Sequence, residues 1–484
     1  MKERHFLALD LGAESGRAIV GTLAGDHLAL TETHRFANRP MHLSGMHWDV
    51  ASLWREMCQG IAAAAQRFRL ESVALDTWGL DFALLDGDGA LLGNPHHYRD
   101  TRTDGMLEAA FARVPREEIF RQTGIQFMQI NSLYQLLAMV MAGDPQLGAA
   151  RTFLTIPDLF NYWLSGRICC EFTNATTTQC LNPLSRSWAW PLLEALGIPT
   201  RIFPALCEPG TRLGALLPVV AQDTGAGALA LIAPACHDTG SAVVAVPAGN
   251  GDFAWISSGT WSILGAEVGQ PVLSEKALAY NLTNEGGVCG TWRLGKNVMG
   301  LWLVQECRRE WGTTYDEMTR LAEEARPFLA VIDPDSRIFL HPGQMAEKIR
   351  QFCADSGQPV PETQGEVIRV VLESLALKYR FVLERLEEVV GKHLDPLHII
   401  GGGVKNRLLN QLSADATGRT VIAGPVEATA VGNILMQAIT LGELGSLGEA
   451  RLLLRRAGGI EEYSPGHGEG WEEAYQKLKS VVLP

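Results

Sequence analysis

The chain has 484 residues, 46% apolar and 20% charged, a composition that excludes disordered and fibrous classes in a length greater than one core ordinarily fills. Its 41 Lys and Arg against 54 Asp and Glu leave a formal net charge of −13, the wrong sign for gaining affinity by neutralising nucleic-acid phosphates. No apolar run reaches the roughly 18 residues that a bilayer span requires, so neither nucleic acid nor membrane is an expected partner.

In chain order, FLALD (6–10), LGAESG and RAIVGTL alternate apolar and polar residues about a small-residue turn and predict a β-hairpin whose first strand closes at Asp10. SVALD (72–76) and DFALLD (81–86) flank a TWG turn and predict a second pair of short strands. Helical spacing follows in LYQLLAMVMAG and in PDLFNYWLSG, the latter closed by Gly166 as a C-cap. ALALIAPAC (228–236) reads as a buried strand that runs into HDTGSAVVAV, a helix starting at an acidic cap, Asp238.

Pro, Gly and Asn cluster at Pro247–Asp252, which predicts a boundary between an N-terminal domain, 1–247, and a C-terminal domain, 248–484. Beyond it DFAWI, SSGT and WSILGAEV repeat the hairpin pattern of the N-terminus. Gly365–Val390 has helical periodicity, and the strand LHII then leads through Gly401–Gly403 into the helix-like VKNRLLNQLSADA and the strand TVIAG. This strand–glycine–helix–strand order predicts an α/β fold. The opening MKERHF has charge but no apolar h-region behind it, and nine cysteines without a CxxC pair read as reduced thiols; a cytoplasmic location is the expectation.

Neither GxxxxGKS/T nor GxGxxG occurs where a strand meets a helix, so neither a P-loop nor a dinucleotide fold is supported. Three Gly/Ser/Thr-rich turns do follow strands: Asp10–Arg17, Ser257–Ser262 and Gly401–Asn406. A single such turn needs no more explanation than a positive φ, but three together offer backbone N–H groups suited to phosphate. Asp10, Asp76, Asp81 and Asp238 are the acidic candidates, each also explicable as a turn or cap residue. Phosphoryl transfer needs carboxylates for Mg²⁺, donors around the phosphates and one carboxylate facing the acceptor hydroxyl, and these residues supply that set. His237 lacks any accompanying nucleophile signature and reads as a positioning residue. Trp78, Trp261, Trp292 and Trp302 suit either core packing or the C–H face of a sugar.

The blocks DLGAESGR, DTWGLDF, YRDTRT, FTNATTTQ, HDTGSA, SSGTWS, NEGG, KNVMGLWLVQ, GGGVKNRLLNQLSADATG and GPVEATAVGN, in this order, closely resemble the FGGY family of carbohydrate kinases along nearly the whole chain. DTWGLDF, YRDTRT and KNVMGLWLVQ resemble the branch acting on L-rhamnulose more than those acting on xylulose, glycerol or gluconate. The resemblance implies two ribonuclease H-like (actin-like ATPase) domains with a ligand cleft between them, the sugar mainly on the first and ATP mainly on the second. It implies ATP-dependent phosphorylation of the 1-hydroxyl of L-rhamnulose, in L-rhamnose degradation, with Mg²⁺.

Carried over block by block, Asp238 is the catalytic base and Gly79, His237, Asp238, Thr239 and Asn297 bind the sugar. Ala13, Glu14, Ser15, Gly16 and Arg17 hold ATP together with Thr260, Gln305 and Gly402, and Asp10 lies near the metal. Positive side chains in the phosphate blocks are few, chiefly Arg17 and Lys405, so the acidic balance does not oppose MgATP. Two alternatives stay open: another ketose such as L-fuculose or L-xylulose as acceptor, and an actin-like nucleotide-binding protein without transferase activity. The second does not account for HDTGSA beside DTWGLDF.

Overall fold

The computed structural model describes residues 3–249, 251–466 and 468–482; Asn250, inside the expected boundary Pro247–Asp252, lies outside them. The chain divides into two compact units. Unit 1 comprises Met1–Ala245, Glu267–Leu294 and Ala428–Gly458, and unit 2 comprises Val246–Ala266, Gly295–Glu427 and Gly459–Pro484.

In unit 1 the N-terminal hairpin forms as read: β1 (Arg4–Leu11) pairs antiparallel with β2 (Ser15–Ala24), and β3 (His27–Ala37) pairs antiparallel with β2. β3 is mostly exposed, and its polar residues suit the edge of a sheet. On its other side β1 takes β4 (Leu70–Thr77) in parallel, and β4 takes β6 (Ala230–Ala233) in parallel, with β5 (Thr211–Ala215) closing the sheet antiparallel to β6. The order is β5–β6–β4–β1–β2–β3. The parallel strands are almost wholly buried, as continuous apolar runs covered on both faces should be. The helix Val50–Arg67 packs on β2 and β3, and the helix Ala428–Thr440 packs on β1 and β4.

The expected pair at 72–76 and 81–86 proves to be two strands in different sheets. Phe82–Leu85 pairs antiparallel with Thr152–Thr155 instead. The backbone between them explains the departure: the Thr77 amide bonds to the Cys236 carbonyl, and Leu80 takes a φ of 77°, so the chain turns off the main sheet after Thr77. A second correction concerns Asp238. The N-cap of the helix Asp238–Val244 is His237, and Asp238 is its first helical residue. The helix Ile156–Ser165 does end at Gly166, in the left-handed region with φ 74°.

The second sheet is built from β7 (Ala254–Ser258), β8 (Trp261–Val268), β9 (Thr283–Gly286), β10 (Trp292–Met299), β11 (Leu397–Ile400), β12 (Val421–Ala423) and β13 (Glu461–Tyr463). Side by side it runs β9, β10, β8, β7, β11, β12, β13. Here too an antiparallel hairpin, β7–β8, is followed on its first strand by two parallel strands, β11 and β12. The orders β3–β2–β1–β4–β6 and β10–β8–β7–β11–β12 correspond strand for strand, which is why hairpin patterning recurs halfway along the chain. The helix Gln364–Val390 opens on a capping box, Thr363 with Glu366, and ends at Gly391.

Candidate active site

Three neighbouring parallel elements of unit 1 end in the residues singled out from sequence. In the sheet register Asp10 of β1 lies opposite Asp76 of β4, and Thr77, next along β4, bridges to His237, which follows β6. Ligands of parallel α/β sheets bind at these carboxyl ends. The hairpin register sets Arg17 opposite Asp10, and the guanidinium donates to Asp10 Oδ2 at 2.5 Å. Asp76 is fully buried; its Oδ2 accepts from Asn433 Nδ2 at 2.6 Å, while its Oδ1 has no hydrogen-bond partner. Burial pushes the Asp76 carboxyl well above its ordinary range, the Asp10 charge adds to this, and the Asn433 bond opposes it.

Asp238 keeps 31% of its side chain exposed. Its hydrogen bonds among the described residues fall on Oδ1, from the Thr239 amide at 2.6 Å and the Thr239 hydroxyl at 3.3 Å, and His237 Nε2 stands 3.3 Å from the same oxygen. That leaves the lone pairs of Oδ2 for a ligand. Desolvation raises the Asp238 pKa, with His237 and Thr239 pulling the other way. His237 itself is buried and sits beside two groups that sequence reasoning missed, Glu285 of β9 and Arg293 of β10.

Two other missed groups hold the segment in place. Glu171 caps the helix Phe172–Thr177, accepting from the amides of Thr173, Asn174 and Cys236 and from the Thr173 hydroxyl. Burial raises Glu171 to about 7 against these bonds. Asn174 then donates to the Trp78 and Cys236 carbonyls, and Thr173 Oγ1 receives the His237 amide. One short helix therefore ties DTWG to HDTG. Gly79 belongs to this junction, since a Cβ there would stand 2.8 Å from Thr177 Oγ1. FTNATTTQ, NEGG and GPVEATAVGN stood out as blocks, but nothing local in them says which side chain points to the site.

The turn Ala13–Arg17 is closed by the Gly12 amide on the Ser15 carbonyl and braced by Asn38, whose side chain donates to the Gly12 carbonyl. Gly16 is glycine for packing, because the Phe36 ring lies where its Cβ would be. Asp81 is a satisfied core carboxylate, accepting from Trp48, Trp78, Gln135 and the Tyr98 amide. Trp78, Trp292 and Trp302 are buried; Trp78 lies 4.1 Å from the Trp48 ring, Trp292 lies edge-on to Phe172, and Trp302 donates to the Phe339 carbonyl.

Unit 2 gathers Thr260, Gln305 and Gly402. The turn between β7 and β8 is bonded to the segment that follows β10: the Leu301 amide to the Gly259 carbonyl, and the Trp302 amide to the Thr260 carbonyl. Gln305 stands one turn into the helix Trp302–Trp311, and its Oε1 is buried without a partner. Gly403 presses on Ser258 so closely that a Cβ would overlap the Ser258 side chain, whereas one at Gly402 would meet open space. Asn297 lies in unit 2, on β10. Among the described residues no three or more His, Cys, Asp or Glu side chains form a cage for a metal ion.

Glu285 shows how strongly this buried charge is held. Burial alone would raise it, but Arg293 and then His237 hold it at about 2, against an ordinary 4.5. A depressed carboxylate contributes stability that is complete above its unfolded pKa and lost as pH falls through its folded one. Glu285→Gln is therefore expected to cost about 3 kcal/mol at neutral pH. The gap from wild type should close between pH 4.5 and about 2, as read by denaturant titration at several pH values. A gap that does not change with pH would mean that the charge is not what matters.

The model of the N-terminal domain of the FGGY family of carbohydrate kinases matches residues 5–245, and that of its C-terminal domain matches 254–441. Rhamnulokinase of Bacteroides thetaiotaomicron is 44% identical over 483 residues, covering 99% of this chain and 100% of the relative. Rhamnulokinase of Oceanobacillus iheyensis is 39% identical over 468 residues, covering 96% and 99%. In three dimensions the chain is similar to gluconate kinase from Lactobacillus acidophilus, with a TM-score of 0.80 at 17% identity over 99% of this chain and 97% of that one.

Proposed function

The chain belongs to the FGGY family of carbohydrate kinases, enzymes that use ATP, and from that premise we propose that it phosphorylates the 1-hydroxyl of L-rhamnulose with Asp238 as the base. The observation that carries the role of Asp238 is its asymmetric carboxylate, with Oδ1 bonded by Thr239 and faced by His237, and Oδ2 uncommitted on a side chain that is about a third exposed. The rhamnulokinase relatives support the choice of sugar.

An ordinary aspartate has a pKa of about 3.9, far below that of an alcohol, so Asp238 does not ionise the hydroxyl beforehand. In a loose transition state little charge builds on the attacking oxygen. The sugar O1–phosphorus bond forms, the bond from the γ-phosphorus to the bridging oxygen breaks, ADP leaves, and the O1 proton passes late to Oδ2. The upward displacement of the Asp238 pKa helps it to keep that proton.

Gly79, His237, Thr239 and Asn297 bind the sugar in this reading, and Ala13–Arg17 hold the phosphates. Thr260, Gln305 and Gly402 take the rest of ATP; the unpartnered Gln305 Oε1 and the open space at Gly402 support this. The orphaned, buried Oδ1 of Asp76 beside Asp10 fits a divalent cation. With no full cage of protein ligands among the described residues, the ion would keep most of its waters, as Mg²⁺ does. When bound, Mg²⁺ supplies positive charge against the phosphate oxygens.

Among the described residues no helix is long and apolar enough to cross a membrane, and we place the enzyme in the cytoplasm, in L-rhamnose degradation. A panel of ketoses tests the acceptor. The value of kcat/KM for L-rhamnulose should exceed those for L-fuculose and L-xylulose by at least about tenfold. A better rate with another ketose would replace the acceptor, and ATP turnover indifferent to any sugar would favour a nucleotide-binding protein without transferase activity.

A further inference from the structure

Behind Asp238 lies a buried ion pair that the phosphoryl-transfer mechanism does not use. The Arg293 side chain is 1% exposed and that of Glu285 is 6%, and Arg293 Nη2 stands 3.1 Å from Glu285 Oε2. Pairs so deeply buried seldom repay their desolvation in stability alone, so the geometry they impose is the place to look for their use. Arg293 Nε donates to the Gly286 carbonyl at 2.9 Å, and Nη2 lies 3.0 Å from His237 Nδ1. Backbone and carboxylate together orient the guanidinium.

We propose that Arg293, oriented by Glu285, is a positioning residue that fixes His237 as its Nε2–H tautomer, so that the ring donates to Asp238 Oδ1 and leaves Oδ2 to receive the acceptor proton. The inference rests on the reading of Asp238 as the base. A guanidinium has only donors and stays protonated in proteins. An Nδ1 carrying hydrogen would therefore oppose donor to donor at 3.0 Å, while its alternative acceptor, Glu285 Oε2, is more distant at 3.4 Å. With Nδ1 accepting, the ring proton sits on Nε2, which is 3.3 Å from Asp238 Oδ1. The opposite tautomer would set a lone pair against that carboxylate oxygen and turn it from its place. Arg293 touches neither reactant in this scheme and acts through His237.

The test uses the full-length protein labelled with ¹⁵N-histidine, at about pH 8, where an unperturbed imidazole is neutral; the spectrum of His237→Asn assigns the His237 ring signals. Wild type should show a protonated Nε2 and an unprotonated Nδ1. Arg293→Met should shift His237 towards the other tautomer and lower kcat by about 10²-fold, with the KM for ATP unchanged. Glu285→Gln, which loosens Arg293 without removing it, should move both readouts in the same direction by less and serves if Arg293→Met does not fold. A wild-type Nδ1–H signal, or an unchanged tautomer in whichever variant folds, overturns the proposal. A switched tautomer with undiminished kcat overturns its link to turnover. The spectra require no substrate, so failure here is distinguishable from a wrong acceptor or a wrong base.

Discussion

Asp238→Asn is expected to bind ATP and sugar as tightly as wild type while losing about 10² to 10⁴ in kcat, the usual worth of a positioned general base. The substitution is isosteric. The amide oxygen can still accept from Thr239, whose N–H is 2.6 Å from Oδ1, so the start of the helix Asp238–Val244 keeps its backbone bonds. What disappears is the capacity to take a proton at Oδ2. The fold should not suffer. Asp238 is one of the charges that push the buried Asp76 upward, so its neutralisation removes a repulsion, and the thermal midpoint should equal or exceed that of wild type. The pH profile separates this from a structural defect. Wild-type kcat should fall in acid with a limb above the range of an ordinary aspartate, because desolvation raises Asp238. The residual rate of the variant should lack that limb. Calorimetric titration of each ligand together with a coupled assay of ADP release gives both quantities, and wild-type turnover would remove Asp238 from the role of base.

The second large effect is on stability. Gly432→Ala is expected to cost about 3 kcal/mol in overpacking strain, with a further 1 to 3 kcal/mol, roughly, from buried polar groups left unpaired. At Gly432 the helix Ala428–Thr440 meets the helix Asp238–Val244 so closely that a Cβ would fall on the Ser241 carbonyl. Backbone atoms of a helix cannot swing aside as a side-chain end can, so one helix must move. The residues that follow cannot tolerate much movement. Asn433 Nδ2 is 2.6 Å from Asp76 Oδ2, and Gln437 both accepts from Ser72 Oγ at 2.7 Å and donates to the Leu7 carbonyl at 3.0 Å. A shift that breaks the first of these leaves a fully buried carboxyl without a donor. Chemical denaturation should show the loss, and kcat should fall with it because the same two helices carry Asp238 and Asn433. Unchanged stability would mean that the two helices do not cross this closely.

Much of the fold was legible because the signals are local. Alternation predicted both hairpins, 3.6-residue spacing predicted the helix ending at Val390, and Gly166 stands at its cap because only a residue tolerant of positive φ closes a helix there cheaply. The strands either side of TWG were also found, but not their partners. Alternation reports which face of a strand is buried and says nothing about which neighbour hydrogen-bonds its edge. Asp238 reads in sequence as the cap and stands one position further on, since Asp serves equally as a cap and as a first-turn residue beside the helix dipole.

Residue types and the order of blocks along the chain therefore determined, by themselves, the α/β class, the kinase family and the carboxylates Asp10, Asp76, Asp81 and Asp238 as candidates, of which Asp81 is a bonded core group. Only the tertiary structure decided how those groups are held. Asn433 meets Asp76 from 357 positions away, and Arg293 meets His237 from 56. Each of these partners looks, in sequence, like an ordinary polar residue on a helix or strand. Its importance comes from burial, where an unpaired donor or charge costs far more than in water, and burial is a property of packing between distant segments that no local pattern records.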